Sequence, residues 1–299
     1  MNVLVTGGAG FLGSHLVDRL VERGNDVVVL DDLSRGEESH VSKSAKLIHG
    51  DVRVLEDWEL AIKSNPPDII HHLAAINGTK RFHDEADLVV DVNVNGTINA
   101  IDIAKRTGAR MVFYSSPEAF GEQQNMPLSN SSNSVFSPPL KHQRHSYGVS
   151  KYLGEILCQF AVRTGSDIRI VRPCNVYGPR LKGGINGQVV SKMLESDPII
   201  VHGDGSQTRC MTWVGDVVDG MLRVGDYDLP PGSTFNLGST EEISMLDLAK
   251  IISKKRSIEI EFCEPYHGDS KRRLPDIENN NLIGWLAETS LHVGINQLL

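Results

Sequence analysis

The sequence predicts an α/β fold, a doubly wound parallel sheet with a smaller C-terminal α/β lobe, and three observations point there. Short β-branched runs alternate with helically spaced apolar residues through the first half of the chain. Those runs are apolar almost without interruption, as strands covered by helices on both faces must be. After about residue 172 the alternation breaks, glycine, proline and polar residues become more frequent, and the helical patterns shorten.

The candidate strands are residues 2–6, 26–30, 46–49, 68–73, 110–115 and 167–171, with a late one near 234–237. Between the first two, Leu12, Leu16, Leu20 and Val21 recur at helical spacing over residues 12–23. A boundary at residue 171 separates a nucleotide-binding domain, residues 1–171, from a lobe, residues 172–299, some of whose strands return to the main sheet. The stretch 125–144, rich in serine, asparagine and proline, is a long loop of the kind that is functional or mobile in a compact enzyme.

The 299 residues are 40% hydrophobic and 23% charged, an ordinary balance for a soluble protein with a sizeable core. A formal net charge of −8 argues against a nucleic-acid binder, which needs a basic face, but leaves room for a local cationic pocket. Cys158, Cys174, Cys210 and Cys263 are widely spaced with no CxxC pair, which predicts neither a disulfide framework nor a zinc site. No apolar stretch reaches the roughly 18 residues of a membrane span. A cytoplasmic location with reduced thiols, no metal and no membrane partner is the expectation.

Gly7, Gly10 and Gly13 follow the first strand and open the first helix. Their GxxGxxG spacing differs slightly from the commoner GxGxxG fingerprint, but the physics is shared. Gly7 permits a tight turn, Gly10 lets backbone N–H groups approach a pyrophosphate, and Gly13 allows close helix–strand packing. Phe11 and Leu12 belong to the same turn. Asp31, at the end of the second strand, stands 18 residues past Gly13, where an acid bonds ribose hydroxyls and repels a 2′-phosphate. The cofactor predicted is therefore NAD, with Arg35 nearby the one dissonant residue. Asp51 and Val52 after the third strand, and Leu73, Ala74 and Ala75 after the fourth, are further candidates to line it, although plain packing explains them as well.

Tyr147 and Lys151 stand four residues apart, a spacing that places them on one helix face. A lysine ammonium beside the phenol is expected to lower its pKa and make it usable as a base on a hydroxyl that loses hydride.

The ordered set Gly7/Gly10/Gly13, Asp31, Asn93–Thr97, Ser115–Gly121, Tyr147/Lys151 and Arg172–Arg180 resembles the extended short-chain dehydrogenase/reductase family of nucleotide-sugar epimerases and dehydratases. Gly203–Arg209, Phe235–Gly238, Arg273–Asp276 and Gly284-Trp285 extend the likeness over essentially the whole chain. The resemblance implies a Rossmann sheet, NAD, a nucleotide-diphosphate-sugar substrate and a homodimer built through helices. For the last, Leu153, Ile156, Leu157 and Phe160 are candidates for either core or interface. It further implies that Ser116 bonds the reacting hydroxyl with Tyr147, and that Lys151 holds the nicotinamide ribose. By the same likeness Asn93 supports the active-site backbone near the cofactor, Asn175 and Arg209 grip the substrate diphosphate, and Arg273 approaches its far phosphate or ribose.

The shared first step is hydride transfer from C4 of the sugar to NAD. Later steps differ. Where 4,6-dehydratases carry an aspartate that protonates the departing hydroxyl, this chain has Pro117, which cannot. Glu118 keeps the carboxylate that enolises C5 in dehydratases and decarboxylases. A 4-epimerase needs neither acid, and UDP-sugar 4-epimerisation is the reaction favoured, with dehydration or UDP-glucuronate decarboxylation as the alternative. Phe120 replaces the usual tyrosine, and Lys80 or Arg81 is a candidate for a substrate carboxylate. Some members of this fold are non-catalytic cofactor or RNA binders, but those are expected to lack the tyrosine or lysine kept here.

Overall fold

In the computed structural model, which describes residues 1–140, 143–182, 188–265 and 270–299, seven strands form one parallel sheet. They are β1 (Asn2–Thr6), β2 (Asp26–Asp31), β3 (Lys46–His49), β4 (Ile69–His72), β5 (Arg110–Tyr114), β6 (Ile168–Pro173) and, after four short strands, β11 (Thr234–Leu237). The spatial order is β11-β6-β5-β4-β1-β2-β3. Chain direction across the sheet therefore reverses at β1, which pairs with β2 on one side (Val5 opposite Val29) and β4 on the other (Val5 opposite His71). Crossovers leave to opposite faces at such a point and open a crevice beyond the strand ends.

Alternation along β1 shows the two faces. Val3 and Val5 pack with Leu16, Val17 and Leu20 of α1 (Phe11–Glu22), while Leu4 joins Trp58 of α2 (Leu55–Ile62) on the other side. After the short α3 (Thr79–Asp84), two long helices, α4 (Ala86–Thr107) and α5 (His145–Arg163), cover the α2 face. The α1 face is completed by α7 (Val214–Asp226), whose Val217, Val218 and Met221 are fully buried.

The smaller lobe has its own apolar cluster. Val190 and Met193 of α6 (Val189–Glu195), Leu248 and Ile252 of α8 (Met245–Arg256) and Ile295 of α9 (Leu291–Leu298) surround β8 (Ile199–His202), which pairs with β13 (Ile260–Cys263). Two smaller pairs join β7 (Val176–Tyr177) to β10 (Thr212–Trp213), and β9 (Thr208–Cys210) to β12 (Glu242–Ser244).

The strand runs read from the sequence all appear, and 234–237 returns to the main sheet beside β6. Residue 171 falls inside β6, which runs on to Pro173. The described part of loop 125–144 is pinned: Leu128 N–H donates to Leu274 O at 2.8 Å, and Asn130 Nδ2 donates to Thr234 O at 2.9 Å. Residues 141 and 142 of that loop lie outside the described residues. No described helix is long and apolar enough to cross a membrane.

Candidate active site

A cleft of about 470 Å³ opens at the carboxyl ends of β1, β2, β4 and β5, with the small lobe as its far wall. Gly7, Gly10, Phe11, Leu12, Gly13, Asp31, Asp51, Val52, Leu73, Ala74 and Ala75 line it, as do Ser116, Glu118, Tyr147, Lys151, Asn175, Arg209 and Arg273.

The glycine turn is held by contacts that no side chain would survive. Gly7 has φ +70°, and a Cβ there would stand 2.8 Å from the Ala74 nitrogen. A Cβ on Gly13 would stand 2.1 Å from the Gly7 carbonyl oxygen. These close approaches bring β1, α1 and the segment after β4 together. Gly10 is the N-cap of α1 and no side chain caps that end, so its first-turn amides open to the cleft. A cradle of this form fits the pyrophosphate of a dinucleotide.

Asp31 is buried, and its two oxygens accept from Ala9 N–H and Leu33 N–H, each at 2.9 Å. Burial nevertheless raises its pKa above the ordinary carboxylate value. Arg35 does not face this acid. Its Nη1 donates to Asn77 O at 2.5 Å across the cleft, while Lys182 Nζ donates to the Arg35 carbonyl at 2.9 Å. Asp51 is held by Arg53 at 2.6 Å, and that hydrogen bond lowers its pKa.

Asn93 holds backbone beside the cleft rather than lining it. It is buried in α4, where Oδ1 accepts from Ile76 N–H at 2.8 Å and Nδ2 donates to Ser150 Oγ at 2.9 Å. It ties the cleft-lining segment after β4 to α5 from behind, and it is not among the lining residues.

Tyr147 lies in the first turn of α5, stacked on Phe82 of α3 with ring centres 4.9 Å apart and planes 12° from parallel. Ser116 beside the phenol favours its ionised form, and the charge of Glu118 opposes it. Burial, with Glu118 acting in the same direction, outweighs Ser116 and Arg35 and pushes the phenol up to about 12. The ammonium of Lys151, 5.9 Å from the centre of the Tyr147 ring, donates to Tyr114 O at 2.8 Å, and burial pushes its pKa down to about 8. Desolvation is thus the largest influence on the phenol in this structure, and the groups that act to lower it are Ser116 and Arg35.

Ser116 caps the short turn Pro117–Phe120 by accepting from Glu118 N–H at 3.2 Å. Pro117 occupies the first position of that turn, where no N–H is needed. Glu118 faces Arg273, whose Nη2 is 3.8 Å from Oε1 and also donates to Gly121 O at 2.6 Å. Arg272 turns outward and is paired with Glu242 at 2.5 Å, which settles which arginine of the pair enters the cleft. Asn175 adopts φ 42°, a left-handed conformation rare for a residue with a side chain and common at functional clefts. Arg209 sits on β9 and donates to Thr208 O at 2.8 Å.

Lys80 and Arg81 belong to α3, pair with Asp84 and Glu85, one turn on, and are not among the residues that line the cleft. Phe82, Arg144, Arg180, Lys182 and Gln188 line the cleft without having been singled out as site residues. Their only signal was proximity to motifs. Seven lining lysines and arginines (35, 144, 151, 180, 182, 209 and 273) face four acids (31, 32, 51 and 118), a cationic pocket in an acidic chain.

A family model described as the NAD-dependent epimerase/dehydratase family matches residues 3–238. UDP-glucuronic acid decarboxylase 4 of Arabidopsis thaliana is 34% identical over 309 aligned positions, which cover 99% of this chain and 67% of that protein. The chain thus spans about two thirds of the plant protein's length. A putative UDP-glucose 4-epimerase of Methanocaldococcus jannaschii is 33% identical, with 99% of this chain and 97% of that one covered. Among solved structures, the UDP-glucose 4-epimerase of Thermotoga maritima with UDP-glucose superposes with a TM-score of 0.91 at 28% identity, covering 99% and 96% of the two chains. The chain belongs to the NAD-dependent epimerase/dehydratase family, and NAD is its cofactor.

Proposed function

We propose that this chain is a UDP-sugar 4-epimerase that oxidises its substrate at C4 and reduces the 4-keto sugar again from the other face. The observation that carries the reading is Tyr147 and Ser116 side by side, with Lys151 on the same helix as Tyr147, all facing one cleft with the Gly7–Gly13 turn and Asp31. Bound over that turn and Asp31, NAD supplies the hydride acceptor and then the donor. Ser116 and Tyr147 hold the C4 hydroxyl, and Tyr147 Oη takes its proton and later returns it. A phenol whose pKa is raised by burial holds its proton, so the demanding requirement is its ionisation before the C4 hydroxyl is oxidised, which Ser116 and the charge of Arg35 favour. Asn175, Arg209 and Arg273 hold the diphosphate, and Asn93 positions the segment behind the cofactor.

A second reading rests on Glu118, whose carboxylate enters the cleft beside Tyr147 and Arg273. There it can remove or deliver a proton at C5, as dehydration or decarboxylation requires. UDP-, dTDP-, GDP- and CDP-sugars incubated in deuterated water separate the two. Epimerisation inverts C4 without deuterium at C5, while C5 chemistry labels it or releases carbon dioxide and is lost in Glu118→Gln. No change in any sugar overturns both.

We further infer a homodimer in the cytoplasm. Leu153, Ile156 and Phe160 of α5 and Val90 and Ile98 of α4 are exposed on adjoining helices, Phe160 by 62%, whereas Leu157 packs into the core. All four cysteines are free, as a reducing compartment would leave them. Sedimentation of wild type and Phe160→Glu tests the assembly, and a wild-type monomer would contradict it.

A further inference from the structure

The reacting segment between β5 and α5 is gripped at both ends by one buried ion pair. At its front, Ser115 Oγ donates to Glu155 Oε1 at 2.5 Å. At its back, the Phe120 ring lies under the Arg172 guanidinium, 4.5 Å from ring centre to the guanidinium carbon. Glu155 and Arg172 are joined to each other by two hydrogen bonds, 2.7 Å from Nε and 2.6 Å from Nη2. Arg172 Nη1 completes the set on Asn130 Oδ1 at 2.9 Å. Ser116 and Glu118 lie between the two gripped residues, and Lys151 is one helical turn before Glu155.

We propose that Glu155 and Arg172 act as positioning residues, a clamp that fixes Ser116 and Glu118 relative to Tyr147 and Lys151. The proposal rests on the catalytic reading of those residues given above. Stability alone explains the pair poorly, because two buried charges of this kind can commonly be exchanged for apolar side chains at little or no loss. The placement gives the Phe120 ring a role, since an aromatic face is what a stacked guanidinium needs there.

Glu155 also acts on Lys151 through charge. Lys151 meets Tyr114 O and the Phe113 ring on β5, the neutral buried His72 on β4, the Tyr147 ring, and Glu155 and Cys158 on its own helix. Burial lowers Lys151, and the Glu155 charge works against that lowering.

Three measurements test the clamp. Glu155→Gln is expected to lower kcat by about tenfold or more while KM for the nucleotide sugar stays within about twofold. In the same variant the midpoint for acylation of Lys151 by an amine-reactive ester, followed by peptide mass, moves to lower pH. The double variant Glu155→Met/Arg172→Met restores apolar packing, and is expected to melt near the wild type yet keep the low kcat. Wild-type turnover in the folded double variant, or an unmoved Lys151 midpoint in Glu155→Gln, overturns the proposal. Inactivity of the wild type on every nucleotide sugar would overturn the catalytic reading instead, and the Lys151 midpoint would still decide the action of Glu155.

Discussion

Lys151 Nζ donates to the Tyr114 carbonyl oxygen at 2.8 Å and stands 5.9 Å from the centre of the Tyr147 ring. The amine is anchored to the end of β5 at the mouth of the cleft, and the phenol is left to burial, which holds it near 12. A further positive charge is what ionisation of Tyr147 lacks. The oxidised nicotinamide ring carries one, and the reduced ring does not. Tyrosinate absorbance of wild type minus Tyr147→Phe should therefore appear at lower pH with NAD bound than without cofactor. With NADH it should stay near the cofactor-free value. An equal shift with both forms would assign the effect to exclusion of water or to Lys151.

His71 and His72 lie side by side on β4, fully buried, and burial pushes both down to about 3 from 6.5. Each is neutral in the folded protein and protonates on unfolding below 6.5, so the unfolded state binds more protons. Stability is unaffected by them above 6.5 and falls as pH drops from 6.5 towards 3, at up to about 1.4 kcal/mol per pH unit for each histidine. Denaturant midpoints between pH 7 and 5 check this. His72→Gln, which keeps polar groups for Thr6 and Thr97, should flatten the slope, and an unchanged slope would contradict the assignment.

Gly13→Ala places a methyl group 2.1 Å from the Gly7 carbonyl, against backbone that cannot yield without opening the turn. Overpacking of this kind costs about 1–3 kcal/mol. Loss of cofactor should exceed loss of stability, because the first-turn amides move with the turn. Retained NAD after gel filtration, at wild-type stoichiometry, would contradict the role given to the turn.

Arg272 and Arg273 are adjacent in sequence and opposite in direction. Arg273→Gln should raise KM for the nucleotide sugar by about tenfold or more, the loss of roughly one charged contact. Arg272→Gln removes a surface pair with Glu242 and should leave KM within about twofold. The reverse ranking would exchange their roles.

Much of this was legible in the chain because the signals were local. The sheet strands were readable since buried parallel strands are uninterrupted apolar runs, and the positions of Gly7, Gly13 and Asp31 follow from how a strand turns into a helix. Tyr147 and Lys151 were paired by helical period alone. What the period does not carry is the surroundings. It predicted a phenol tuned by its lysine, whereas the fold encloses the ring between Phe82 and the sheet and directs Lys151 to Tyr114. Phe82, Arg144 and Lys182 reach the cleft through tertiary folding, and the partners of Asn93, Ile76 and Ser150, lie far from it in sequence. Glu155 and Arg172 meet across a helix and a strand, a contact no spacing announces.

The central claim is that hydride leaves C4 and returns to it within one active site. A UDP-sugar carrying deuterium at C4, converted by the NAD-loaded protein, tests it most directly by NMR of the product. Inverted configuration at C4 is expected, with the deuterium retained there and none gained by NAD free in solution. Product carrying solvent hydrogen at C4, or deuterium passed to the free NAD pool, would contradict it.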